Sequence, residues 1–172
     1  MKHLLIALSY ISLTILIFSC KEINPATLDY ERLNYDTNRI AIFNWDTTKY
    51  RFPNNSDRLP LTQEDLKVVD SLLKDAVDSF NTEISPGLYQ AFDNRVPIDS
   101  FIIRLENYKY QYFPFKDVNG QRIMTIIGFS TDFGRWKKQV YQPRLHYGMR
   151  MLELKVNLTE RTRDNIRSGD FG

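Results

Sequence analysis

The sequence predicts an α+β domain in which one long helix packs on a curved antiparallel sheet of about four strands, a roll. Three observations carry this. In "LTQEDLKVVDSLLKDAVDSFN", Leu66, Val69, Leu73, Ala76, Val77 and Phe80 recur at spacings of three and four, the stripe of a helix with one face on a core. In "MRMLELKVNLT", Leu152, Leu154, Val156 and Leu158 alternate with Glu153, Lys155 and Asn157, as in a strand buried on one face. Between these elements, Asn119-Gly120 separates two runs of β-branched and aromatic residues, the strongest short hairpin signal.

Taken in chain order, the first element is not part of that fold. Leu4 to Ser19 is almost wholly apolar, carries no charge, follows Lys2 and His3, and runs straight into Cys20, the only cysteine. A core helix would show a cap and a polar face. A membrane span needs about 20 apolar residues. A basic start, an apolar run and a small residue, Ser19, before the cut are the pattern of a secretory signal. "IFSC", Ile17 to Cys20, further resembles the lipobox of bacterial lipoproteins, with Phe18 bulkier than the residue usual there. The resemblance implies cleavage before Cys20, which then carries diacylglycerol on its sulfur and an acyl chain on its nitrogen. Two or three such chains hold a protein stably at a membrane. Lys21 after the cysteine points, by analogy with sorting rules, to the outer membrane, with either leaflet open. The expected organisation is a signal peptide over 1–19, a lipid-anchored tether over 20–38 and one globular domain over 39–172.

With Cys20 given to lipid there is no second cysteine for a disulfide, so the domain stands on its core alone. At roughly 135 residues it has a usual single-domain size. Charge is nearly balanced, 23 basic against 21 acidic residues in the whole chain, unlike a nucleic-acid binder. "RTRDNIR", Arg161 to Arg167, reads as a solvated C-terminal face with Asp164 inside it.

"KEINPATLDYERLNYDTN", Lys21 to Asn38, has Pro25, many Asn and Asp and no apolar period, the composition of a tether that spans about 60 Å when extended. "RIAIFNW", Arg39 to Trp45, reads as the first strand and "FPNNSDRLP", Phe52 to Pro60, as a loop. The helix opens with Thr62 and Asp65 in capping-box spacing, with Leu61 placed to staple onto Leu66. It runs from Gln63 to about Phe80 and turns Lys67, Asp70, Lys74, Asp75 and Asp78 to water; "SPG", Ser85 to Gly87, punctuates after it. "FIIRLENYKYQYFPF", Phe101 to Phe115, reads as a strand with Tyr108, Tyr110 and Tyr112 on one face and Lys109 and Gln111 on the other. "RIMTIIGFS", Arg122 to Ser130, returns with apolar residues on both faces, and "WKKQVY", Trp136 to Tyr141, reads as a shorter strand.

"LPLTQEDLKVVDSLL", "YKYQYFPF" with its Asn-Gly, "DFGRWKKQV" and "LKVNLT" together resemble a family of small uncharacterised proteins and lipoproteins of Bacteroidetes-type bacteria, over about Ile40 to Thr159. That resemblance brings no activity and no catalytic residue with it. The order of helix and curved sheet is similar to cystatin-like and NTF2-like rolls, an analogy of fold and not of function.

Among chemistry-bearing residues, the chain after Cys20 has a single histidine, His146. It therefore lacks the His, Cys and carboxylate cluster of a transition-metal site. His146 lies in "RLHYG" with no triad partner beside it, which reads as a loop histidine. Neither GxGxxG nor GxxxxGK[ST] occurs, and no metal or cofactor is expected. "STDFGRWKK" places Asp132, Arg135 and Trp136 at a hairpin end, where they either hold a polar ligand or form a Gly134 turn with Trp136 in the core. The ladder Tyr108, Tyr110 and Tyr112 is either an aromatic contact surface or the floor beneath a helix. Asp46 to Thr48 looks like a short O-glycosylation signal. Two functions follow. One is a non-catalytic binding or accessory lipoprotein that holds a protein, peptide or envelope component at the membrane, with Tyr108, Tyr110, Tyr112, Asp132, Arg135 and Trp136 as interaction residues and none catalytic. The alternative is a cavity-bearing NTF2-like enzyme using a carboxylate such as Asp132 with His146. A polar-lined pocket holding a carboxylate and His146 discriminates for the enzyme, a filled core with exposed aromatics for the binder.

Overall fold

Thr62 begins the long helix in the computed structural model, which describes residues 30–43, 57–91, 95–130, 134–141 and 148–168. Cys20 and its signal, Asp46 to Thr48, Asp132 and His146 lie outside the described residues. Thr62 is extended (φ −112°, ψ 166°), its Oγ1 accepts the Asp65 N–H at 3.2 Å, and the Asp65 carboxylate accepts the Thr62 N–H at 2.7 Å. The capping box is complete, so two N–H groups that a helix start leaves orphaned are satisfied. Leu61 is half-buried and packs on the same cluster as Leu66. Helix α1, Gln63–Ser79, buries Leu66, Val69, Leu73, Ala76 and Val77 and exposes Lys67, Asp70, Lys74, Asp75 and Asp78.

The helix does not end at Ser85-Pro86-Gly87. It passes through one wide turn, Phe80–Ile84, in which the Ser85 N–H reaches back to the Phe80 carbonyl, and continues bent as α2, Ser85–Ala91. Pro86 has no N–H for the preceding turn and its ring collides with the carbonyl four residues back in a regular helix. A π-turn absorbs that conflict as a bend. Tertiary bonds then hold the bend. The buried Ser85 Oγ donates to the Phe101 carbonyl at 2.8 Å, and the Asn81 amide pairs in both directions with Ile103 at 2.8 and 2.9 Å.

The sheet is five positions wide and mixed rather than wholly antiparallel. Its strands are β1 (Ile40–Ile42), β2 (Asp57–Arg58), β3 (Lys109–Lys116), β4 (Arg122–Phe129), β5 (Met151–Asn157), β6 (Thr162–Arg163) and β7 (Arg167–Ser168). β1 and β2 share one edge of β3, β6 and β7 share one edge of β5, and β3-β4-β5 form the antiparallel centre. β1 pairs parallel with β3, Ile40 opposite Tyr110. Parallel neighbours need a crossover, and α1 lies within the connection that supplies it. The strand expected from Phe101 starts only at Lys109, after 3₁₀ turns at Ile98–Phe101 and Leu105–Asn107.

Pro114 is tolerated inside β3 for a local reason. The Tyr110 N–H and the Tyr112 carbonyl bond toward the β1 edge. By alternation the missing N–H of Pro114 points to that same edge, between the pairings of β1 and β2, where no ladder bond is lost. The hairpin turns over Asp117 to Gln121, with left-handed φ confined to Gly120 (+75°) and the Asp117 Oδ1 accepting from Asn119 and Gln121 N–H groups. Only glycine takes that φ without strain.

Both faces of the sheet are covered. On one, α1 meets the tyrosine ladder, Met124, Ile126, Leu152, Leu154 and Val156; on the other, Ala41, Phe113, Phe115, Ile123, Ile127, Phe129 and Met151 gather around Trp136. The expected strand Trp136 to Tyr141 is instead a turn, with Lys138 and Gln139 N–H groups on the Arg135 carbonyl at 2.8 and 2.9 Å. Gln111, on the face opposite the tyrosines as its alternation predicts, is wholly buried and explains why. Its amide donates to the Trp136 and Gln139 carbonyls at 2.5 and 2.7 Å and accepts the Tyr141 N–H at 2.9 Å. One side chain thus holds the covering loop where a further strand would have needed a ladder.

The first and last described segments are also docked. Residues from Tyr30, within the segment read as tether, pack on the domain: Tyr30 is buried and its hydroxyl donates to the Leu59 carbonyl at 2.8 Å. Within Arg161 to Arg167, Arg163 is not a solvated charge; it bonds Asp75 Oδ2 at 2.6 Å and Ser79 Oγ at 2.7 Å, tying the C-terminal strands to α1. A Cβ at Gly128 would lie 2.8 Å from Leu152 Cγ and 3.1 Å from Tyr110 Cε1. Gly128→Ala is therefore expected to cost about 1–3 kcal/mol by overpacking, read from urea denaturation of the variant.

Candidate functional site

A cleft of about 410 Å³ opens between α1, the segment before β1 and the upper tyrosines. Each wall follows from local sequence. Asp36 starts the first wall: its carbonyl accepts from Arg39 and Ile40 N–H groups at 3.0 and 2.8 Å and its Oδ1 from Asn38 N–H at 2.9 Å, an Asx-type turn that feeds β1. On the second wall Leu66, Asp70 and Leu73 fall one helical turn apart, so they line one flank of α1. Gln63 closes one end by exchanging hydrogen bonds with the Asn34 backbone at 2.9 and 3.0 Å. Tyr110 and Tyr112, two apart on β3, form the floor beside Leu105.

Arg39 sits half-buried on that floor. Its Nη2 donates to the Leu105 carbonyl, Nε and Nη2 lie 3.4 Å from the Tyr108 carbonyl, and its Cζ is 5.9 Å from the Tyr110 ring centroid. These partners are neutral and do not offset the guanidinium's charge, whose attraction for an anion is stronger where water is partly excluded. The tyrosine hydroxyls differ in their partners. Tyr108 donates to the Met149 carbonyl and Tyr110 to the Leu105 carbonyl at 2.9 Å. The Tyr112 hydroxyl, on a residue 3% exposed, has no hydrogen-bond partner among the described residues. Burial pushes the Tyr108 phenol up to about 12. Burial also raises Tyr110 and Tyr112 well above the ordinary phenol, with Asp70 adding to the rise at Tyr112 and Arg39 opposing it. All three remain neutral donors at physiological pH. Asp70 stands exposed at the rim, and Lys67 beside it pairs with Glu64 at 3.6 Å.

The structure does not gather the sequence-derived residues into one site. Tyr108, Tyr110 and Tyr112 are 5, 3 and 3% exposed and lie under α1, so they form a floor and present no exposed aromatic surface. Trp136, 7% exposed, packs edge-on to Phe129 at 5.9 Å on the opposite face of the sheet, while Arg135 in the same turn is exposed. The Gly134 turn with Trp136 inward is therefore the arrangement found. Asp132 and His146 lie outside the described residues. Arg39 and Asp70, read from sequence only as a strand start and a solvated helix position, are the charged groups that meet the tyrosines. Asp70 lies between Leu66 and Leu73 on the helix, a spacing that places it at the border of the apolar stripe. No such local signal marks Arg39, because its position depends on β1 pairing with β3.

Chemically, the cleft offers apolar walls, the Arg39 cation and a neutral phenol donor on its floor, and Lys67 with carboxylates at its mouth. No histidine or cysteine lines it among the described residues, and no group of three or more His, Cys, Asp or Glu is placed to hold a metal ion there. These groups have the chemistry to bind and orient a small molecule. No protein-family model, curated protein or solved structure matches the chain.

Proposed function

We propose that the chain is a lipoprotein of a bacterial envelope, anchored to the outer membrane through Cys20, whose domain is a non-catalytic module that binds a small ligand in the cleft between α1 and the tyrosine ladder. The observation that carries the binding reading is the cleft itself, about 410 Å³ with a buried phenol in its floor that has no partner among the described residues. Pockets of this size, mainly apolar with a few convergent polar groups, are the common form of small-molecule sites. The anchor rests on "IFSC" and the apolar run before it, and lipid chains on Cys20 would keep the cleft near the membrane surface.

Two experiments test the two halves separately. In cells fed an alkyne fatty acid, the wild type is expected to be labelled and Cys20→Ser to be unlabelled; equal labelling would remove the anchor. For the cleft, full-length protein in lipid nanodiscs is examined by native mass spectrometry. The wild type is expected to carry a small-molecule mass that Asp70→Trp lacks, because an indole at this exposed rim position blocks the mouth and spares the core. The same bound mass in both proteins would place the ligand elsewhere.

A further inference from the structure

Resting on the reading of the cleft as a binding site, we infer that its ligand is a small amphipathic monocarboxylate, with the carboxylate on Arg39 and Tyr112 and the apolar body against Ile40, Leu66 and Leu73. The polarity of the floor decides the ligand's head group. A phenol 3% exposed with no partner among the described residues is costly to bury, and such groups are rare in folded proteins unless something further completes them. Arg39 points the same way. Its Nε and Nη2 are taken up by the Leu105 and Tyr108 carbonyls, its Nη1 has no partner, and no acidic residue neutralises it among the described residues. Two free donors and one uncompensated charge on one floor match two oxygens sharing a single negative charge.

The rim sets the upper limit on charge. Asp36 and Asp70 stand at the mouth, and Lys67 is turned to Glu64 and largely exposed. Arg39 on the floor and the largely exposed Lys67 at the rim balance the two carboxylates, so the cleft accommodates a monoanion on Arg39 and offers a dianion such as a phosphate ester no second buried cation. Tyr112 stays protonated in this setting and donates to the ligand, as an ionised carboxylate in its place would not. No bond is made or broken; the group is a recognition device.

The test titrates full-length protein in nanodiscs, with empty nanodiscs as the blank, with 3-phenylpropanoate, 3-phenylpropan-1-ol and 3-phenylpropylphosphonate by calorimetry. The carboxylate is expected to bind at least about tenfold more tightly than the other two. Tyr112→Phe is expected to reduce that affinity about tenfold and to leave the thermal midpoint of the ligand-free protein unchanged or higher, because no protein bond is lost. Tyr110→Phe, which loses the bond to Leu105, lowers the midpoint and serves as the control. Arg39→Lys retains charge without the fork and is expected to weaken the carboxylate as well. Equal affinity for the alcohol, or a Tyr112→Phe protein that binds the carboxylate as the wild type does, overturns the inference while the cleft remains a ligand site. Binding of none of the three overturns the inference too. The cleft reading falls with it only if the wild type also carries no mass that Asp70→Trp lacks.

Discussion

Leu73→Ala is expected to lower the unfolding free energy by about 2–5 kcal/mol, whereas Lys74→Ala, its neighbour, changes it by less than about 0.5. Leu73 is 3% exposed in the middle of α1 and belongs to the cluster that joins the helix to the tyrosine ladder. Truncation removes its transfer energy and leaves a hole whose cost depends on how far the surroundings close. Because Leu73 also forms cleft wall, part of that hole opens to the cleft, which puts the loss in the lower half of the range. Lys74 projects from the opposite flank and is exposed. Guanidinium denaturation of both variants decides the matter, and equal losses would contradict the packing of α1.

The second large effect belongs to Asp65→Ala, expected to cost about 2–4 kcal/mol at neutral pH. This carboxylate is 6% exposed, yet it accepts from Thr62 N–H at 2.7 Å, Thr62 Oγ1 at 2.8 Å and Arg122 Nη2 at 2.6 Å. It therefore caps α1 and ties the helix to β4 with one group. The full cost of breaking a buried pair is not reached, because the Arg122 side chain is 34% exposed and its lost partner is partly replaced by water. Burial alone would raise the Asp65 carboxyl. The hydrogen bonds from Arg122 and Thr62 and the Arg122 charge outweigh it and hold the group below the usual aspartate range. The unfolded chain then binds the proton more readily than the folded one. The stabilisation is complete above about pH 4 and is lost as pH falls through the depressed folded value. Denaturation midpoints compared at pH 7 and near pH 2 are expected to show a wide gap between wild type and Asp65→Ala at the first and a narrow one at the second. A gap that stays constant would mean the carboxylate's charge contributes nothing.

Much of the candidate site could be seen in the sequence as residues but not as a site. Tyr108, Tyr110 and Tyr112 alternate on any strand, so their common face was legible. Which face it was, and that a helix lies on it, was not, because a sheet covered on both sides gives each face an apolar partner. The same ambiguity hid the burial of Gln111. Its alternation with the tyrosines was right, but the far side of β3 is sealed by the loop that its own amide holds. Trp136 shows the converse. A short run with Trp, Val and Tyr has strand propensity, and two hydrogen bonds donated and one accepted by a distant glutamine outweigh it.

What the sequence determined by itself is local and periodic. The stripe of α1, the Thr62-Asp65 capping box, the Asn119-Gly120 turn and the alternation along β5 each depend on residues within a few positions of one another, so spacing alone specifies them. The lipobox reading likewise rests on adjacent residues only. The tertiary structure decided whatever depends on partners far along the chain. The parallel pairing of Ile40 with Tyr110 brings Arg39 under the helix across about 70 positions of sequence. The bonds from Ser85 and Asn81 to the segment after α2 stabilise a bend where Pro86 would by itself end a helix. The cleft belongs to this second class. Its floor cation, its phenol and its rim carboxylates come from the segment before β1, from β3 and from α1, and only the packing of all three leaves a buried donor without a partner among the described residues.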